Sequence, residues 1–370
     1  MFPLLLLAAL AALPASLVSS EYIDLGKRQL EGPVLGLERL KREYFAYRRR
    51  TLGPDCHEDN VIVRKEWGAL STEEREDYIQ ATQCLYTSPA QSPQDYAPGA
   101  RNRRDDFVAV HIAQQQRIHF SPWTLPFHRW YVHLYEQALR DECGYKGGIP
   151  YMGYENYGAQ PYEETALFDG SPTSLGGNGS PSPDGCNCVG GPFAEFPTNL
   201  GPIAGGAGCR QNPQADGLGY NPRCLERNFN PSGLTNLTHQ SVFETILGFH
   251  NINDFTLRID QWPGGIHPSP HSAVGGAQGD IPGAPTDPWF FIHHAGLDLV
   301  WDMWSGLEED ERRYALPIPY QFNKERESRG WQDADFVTPD SYLEMSPVLP
   351  GVTVRDVMSI SNGPLCYVYE

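Results

Sequence analysis

The sequence has no basic run longer than Arg48-Arg49-Arg50, and its 28 Lys and Arg are outnumbered by 46 Asp and Glu, for a formal charge of −18. Neutralising nucleic-acid phosphates takes clustered Lys and Arg, so no nucleic-acid partner is expected. Long apolar runs are missing after the first twenty residues, and no later segment approaches the roughly 20 residues a membrane span needs. There is no internal repeat and no linker dividing the chain. The 370 residues, 40% of them apolar, can bury a sizeable core as one domain.

The opening MFPLLLLAALAALPASLVSS is an apolar block broken at Pro14 and ending in small residues. Val18 and Ser20 suit positions −3 and −1 of a signal-peptide cleavage site. Residues 1–20 are therefore read as a signal peptide and 21–370 as a single domain. Part of 21–50 could be a propeptide, with Lys27-Arg28 as its cleavage point. The expected location is extracellular, secreted.

Eight cysteines, at 56, 84, 143, 186, 188, 209, 224 and 366, form an even set, which in an exported chain favours disulfides. Cys186-Asn-Cys188 lacks the two-residue gap of a zinc ribbon. Asn178-Gly-Ser and Asn236-Leu-Thr are glycosylation sequons that fit the same compartment.

Five helices are legible. In residues 61–86, Ser71 with Glu74 three residues on forms a capping box ahead of helically spaced apolar residues. Further helices are expected at about 105–116, about 126–143 with Gly144 as the stop, and about 234–247 with Gly248 as the stop. The fifth is DPWFFIHHAGLDLVWDMW, residues 287–304, where Asp287 caps and Pro288 takes the first turn. Residues 155–232 are rich in Gly, Pro, Ser and Asn and hold four cysteines, which reads as a folded, disulfide-fixed excursion.

Histidines fall in two triplets: His111, His119 and His128 around the second and third helices, and His267, His271 and His294 around the fifth. Three neutral imidazoles suit copper, zinc, iron or nickel and leave a coordination position open. His267 and His271 share a face if a helix starts at His267, since Pro268 and Pro270 are then in the first turn, where backbone N–H groups lack partners anyway. No Asp or Glu sits at ligand spacing within either triplet, which argues for copper first and zinc second.

The segments HIAQQQRIHFSPWTLPFHRWYVHLYE (111–136) and GGIHPSPHSAVGGAQGDIPGAPTDPWFFIHHAGLDLVWDMW (264–304) resemble the two copper-binding regions of tyrosinases and catechol oxidases, the type 3 copper proteins. RKEWGALSTEERE, FDGSPTSLGGNG and the terminal YVY resemble further segments of short secreted fungal members, so the likeness covers nearly the whole mature chain. It implies a mainly α fold, a central four-helix bundle holding a binuclear copper site, with long disulfide-bonded loops. The implied cofactor is two copper ions that bind dioxygen, one on each histidine triplet. By position His293 stands behind the ligands, its side chain about 100° from that of His294 on the helix. Asp298 could orient an imidazole or pair with Arg129, and Phe290 would shield the site and wall an aromatic substrate. His57, His133, His239 and His250 are read as structural or exposed.

Departures from the family pattern also inform. No cysteine precedes His119 closely, so no thioether ligand is expected. Hydroxylating members often carry Asn after the fourth histidine; here Pro268 stands there. PYMGY at 150–154 replaces a tryptophan-rich motif, and Leu299 stands where Arg usually follows the aspartate. Ser272 and Ile281 are candidates for the pocket rim.

The resulting expectation is a polyphenol oxidase that turns o-diphenols into o-quinones and O₂ into water, with small phenols and O₂ as partners, no nucleic acid and no membrane, as a monomer. The alternatives are a tyrosinase that also hydroxylates monophenols, an oxygen carrier on the same copper pair, and a dizinc hydrolase. Cys84 ends the first helix and Cys143 the third, so a bridge there would clamp two bundle helices, leaving Cys56 for Cys366. Cys186, Cys188, Cys209 and Cys224 would then pair among themselves in either of two arrangements.

Overall fold

A computed structural model describes residues 32–370 apart from Ala204 and Ser346. The expected signal peptide, residues 1–20, and the expected cleavage point at Lys27-Arg28 lie outside the described residues. The longer helices are α1 (Pro33–Arg50), α2 (Thr72–Thr87), α3 (Arg103–Ile118), α4 (Thr124–Asp141), α5 (His239–Leu247), α6 (Ile252–Asp260), α7 (Pro268–Val274) and α8 (Trp289–Gly306). Strands are few and short. β1 (Ile62–Arg64) pairs in parallel with β6 (Tyr367–Tyr369), whereas β2 (Gly179–Pro181) with β3 (Asn187–Val189) and β4 (Tyr342–Leu343) with β5 (Val352–Thr353) are antiparallel pairs.

The histidine-bearing helices α3, α4, α7 and α8 form the central bundle. Every residue of α8 is buried, which accounts for its aromatic, all-round apolar sequence. Its partner α4 meets it through Tyr135, whose ring stacks on Phe291 with centroids 3.6 Å apart. Helix α3 joins the same cluster through Phe107, edge-on to both rings. The capping box of α2 is present, Ser71 Oγ accepting from Glu74 N and Glu74 Oε2 from Ser71 N. Asp287 caps α8 through Oδ1, which accepts from Trp289 N at 3.0 Å.

The sequence reading needs correction at three places. Residues 234–247 are not one helix: a 3₁₀ turn (Pro231–Asn236) ends before Thr238, whose hydroxyl accepts from Ser241 N and starts α5 anew. Helices α1 and α6 went unread, α6 because nine residues carry too little periodicity and α1 because its buried face mixes Leu37 and Leu40 with Tyr44, Tyr47 and Arg48. Helix α3 begins earlier than expected, at an Asn102–Asp105 capping box.

The long excursion is folded and tied. Cys186–Cys209 and Cys188–Cys224 brace it internally, which selects one of the two open pairings. From it, buried Arg227 donates to both carboxylate oxygens of Asp287 at 2.7 and 2.8 Å, clamping the loop to the start of α8. Cys84–Cys143 joins α2 to the segment after α4, and Cys56–Cys366 closes the chain beside the β1–β6 pair.

Candidate metal centre

The ring nitrogens of His111, His119 and His128 form one cluster and those of His267, His271, His293 and His294 a second, the offered atoms within each lying no more than 4.8 Å apart. His111 is on α3, His119 immediately follows it, and His128 is on α4. His267 caps α7, as the proline spacing requires, and His271 lies on its second turn. The two clusters meet where His128 and His294 stack, centroids 4.2 Å apart and planes within 10°.

Five of these imidazoles have their Nδ1 held by an oxygen. His111 meets Pro282 O at 2.7 Å, His119 meets Gln115 O at 2.8 Å, and His128 meets Thr124 O at 2.7 Å. His267 meets Asp260 Oδ1 at 2.7 Å and His271 meets Gln278 Oε1 at 2.8 Å. An oxygen acceptor fixes the proton on Nδ1 and turns the Nε2 lone pair inward. Burial drives His111 down to about 4 and His119, His128, His271, His293 and His294 well below the usual histidine range, so these imidazoles are neutral donors. Neither nitrogen of His294, which is 2% exposed, has a hydrogen-bond partner. Such an orphaned buried group is costly in a folded protein unless something not a hydrogen bond occupies it.

His293 stands closer to the second cluster than its helical offset suggests. Trp289 stacks on it at 4.9 Å and Tyr154 Oη lies 3.0 Å from its Nδ1, turning the ring toward His267 and His271. Asp298 orients no imidazole: its carboxylate takes Arg129 Nε and the hydroxyls of Tyr367 and Tyr369, the latter two at 2.6 Å. Phe290 lies between the clusters, its ring 4.1 Å from that of His294 and 5.1 Å from that of His111.

A cavity of about 280 Å³ opens onto both clusters through His119, His267 and His271, and Phe290, Pro268, Ser272 and Ile281 all line it. Of the remaining histidines, His57 and His250 are exposed, His239 is half-buried, and His133 is buried beside Glu136. All eight cysteines are in disulfides, so none is free to link to His119.

Residues 101–307 match the common central domain of tyrosinase. The chain belongs to the tyrosinase family. It is 33% identical over 349 residues to the N-acetyl-6-hydroxytryptophan oxidase of Emericella nidulans, covering 85% of this chain and 94% of that one. Tyrosinase P of Aspergillus terreus is likewise 33% identical over 347 residues, with 85% and 93% covered. Among solved structures, a polyphenol oxidase from Thermothelomyces thermophila superposes with a TM-score of 0.77 at 34% identity, over 95% of this chain and 98% of that one. As a tyrosinase-family oxidoreductase the protein takes two copper ions, and the donor set fits them: two all-imidazole clusters without a carboxylate among their members. This composition is not that of a carboxylate-bridged dizinc site.

Sequence reasoning missed the groups that aim the histidines. Asp260, Gln278, Pro282 and Tyr154 gave no local signal of their contacts with the histidines. The 3₁₀ segment at 276–286 serves both clusters at once, with Gln278 on His271 and the Pro282 carbonyl on His111.

Proposed function

We propose that the protein is a secreted oxidase of o-diphenols, in which two catechols each give up two electrons and two protons to one O₂, yielding two o-quinones and two waters. On this reading His111, His119 and His128 hold one copper and His267, His271 and His294 the other. When bound, the copper pair supplies the site at which dioxygen accepts electrons from the phenol. His293, held by Tyr154 and Trp289, backs the second set, and the Arg129–Asp298 pair fixes α8, and with it His294, against α4.

The observation that carries this reading is the cavity, whose wall is made jointly of His119, His267 and His271 and of the apolar and small residues Phe290, Pro268, Ser272 and Ile281. A phenol ring entering it faces imidazoles on one side and lies against Phe290 on the other. An oxygen carrier needs no such opening. Four disulfides, and the lack among the described residues of any helix long and apolar enough to cross a membrane, support export. We take the working form to be a monomer.

Oxidation of a diphenol is favoured over hydroxylation of a monophenol. A monophenol must first lose its proton to a positioned base. Asp260 is the acid in the cavity wall, and one of its oxygens already holds the His267 Nδ1 proton. Pro268, with no side-chain donor or acceptor, cannot help it hold a water. The test is oxygen uptake by copper-loaded protein with a monophenol and its matching catechol. Uptake with the catechol and a slow, lagging response to the monophenol is expected; equal, lag-free rates would overturn the preference.

A further inference from the structure

The copper-side cavity does not end at its mouth. Phe120, Asp260 and Trp262 line it on one side and, on the other, a second, more open space of about 460 Å³. That outer groove is walled by Phe249, Leu257, Arg258 and Phe322 as well. Two of its apolar side chains face solvent, Trp262 being 55% and Leu257 44% exposed, a cost that an occupant would relieve. Phe120 sits at the junction in a backbone conformation with φ of 47°, the only positive φ outside glycine among the described residues. A bulky side chain adopts that region only under constraint, and such residues concentrate at ligand sites. The Arg329 guanidinium lies over the Phe120 ring at 4.4 Å and is anchored by Glu325, which holds this ring at the passage.

We propose that the outer groove is a specificity subsite for a second aromatic ring, so that the preferred substrate is a catechol carrying an aryl group on a short spacer para to one hydroxyl. This rests on the diphenol oxidase reading. The catechol ring lies at the histidines and the distal ring lies among Trp262, Leu257 and Phe249. Phe120, Phe249, Trp262 and Phe322 line that surface beside Leu257 and Arg258, with acids and glutamines at its polar edge, and ring-on-ring and guanidinium-on-ring contacts favour an aryl occupant over an alkyl chain of similar size.

The experiment compares 4-methylcatechol with 4-(2-phenylethyl)catechol on the copper-loaded full chain. The wild type should favour the larger probe by about tenfold in kcat/KM, carried by KM, the size expected of one well-placed aromatic contact. Leu257→Glu, an exposed position on α6, should bring the ratio near one, as should Trp262→Ala; Phe336→Ser, exposed and outside both spaces, should leave it unchanged. Equal kcat/KM for the two probes in the wild type, or a ratio untouched by Leu257→Glu, overturns the subsite. If neither probe is oxidised, the oxidase reading fails and calorimetric binding decides the groove: tighter binding of the larger probe sustains it, equal affinity overturns it.

Discussion

The imidazoles of His128 and His294 lie face to face, 4.2 Å between centroids, although one comes from each end of the tyrosinase-like region. The stack fixes the spacing of the two clusters. His128→Ala or His294→Ala removes one third of one copper's proposed imidazole set and opens that stack. Each should leave about one copper per chain by metal analysis and no detectable quinone formation. His133→Ala and His239→Ala should retain most activity. Full turnover in either of the first pair would sink the ligand assignment.

On the proposed ligand set, Asp260 acts on the metal through His267. Replacing it by Asn keeps the shape but substitutes a neutral acceptor for a carboxylate at the imidazole Nδ1–H, making His267 a weaker donor. Copper affinity should fall roughly 10–100-fold, in the range seen when such supporting partners are lost. Competition titration against a chelator measures this. An unchanged affinity would mean that the 2.7 Å contact does not support the site.

Pro268→Asn puts a hydrogen-bonding side chain into the cavity wall beside His267, where proline offers none. Hydroxylation of a monophenol should rise relative to oxidation of its catechol, read as a shorter lag and a higher ratio of initial rates. No change in that ratio would show that Pro268 does not limit the proton step.

Asp280 lies in the segment that supports both clusters, 4% exposed and packed against Gly201, Gly206 and Gly283. Burial pushes its carboxyl up to about 7, with Arg223 pulling the other way. A carboxyl whose folded value is raised binds its proton more tightly in the native state, so it contributes stability at low pH that is lost as pH rises from about 4 through 7. Urea unfolding at pH 5 and pH 8 should show the wild type weaker at the higher pH, and Asp280→Asn should remove part of that slope, on the order of 1–3 kcal/mol. Parallel slopes in the two proteins would refute it.

What the sequence revealed depended on how local the physics was. Ser71 and Glu74 announce α2 because a capping box closes within one turn. The two histidine triplets are legible because each falls within a short stretch of chain, and the two prolines after His267 carry a rule about first turns that α7 obeys. The disulfide partner of Cys84 followed from the ends of two helices, and that of Cys56 from the cysteine that remained. By contrast Tyr154 reaches His293, and Arg227 reaches Asp287, across the fold, and no spacing rule connects them. The Gln278 contact with His271 is nearer in sequence but passes through a 3₁₀ turn that lacks helical or strand periodicity. How near His293 sits to the second cluster was not legible, because an ideal helical angle takes no account of the Trp289 ring stacked on it.

The strand β6 has a temporal meaning. A chain made from its N-terminus has both histidine clusters in hand before Tyr367 and Tyr369 exist, yet these two hydroxyls take up the carboxylate of Asp298, one turn after His294. Until they arrive, that carboxylate has only arginine for company in the middle of the bundle, and α8 has no brace from β1 and β6. Completion of the centre is thereby tied to synthesis of Tyr367 and Tyr369: a chain cut short of them would own every imidazole and still present the metals with a loosened cradle.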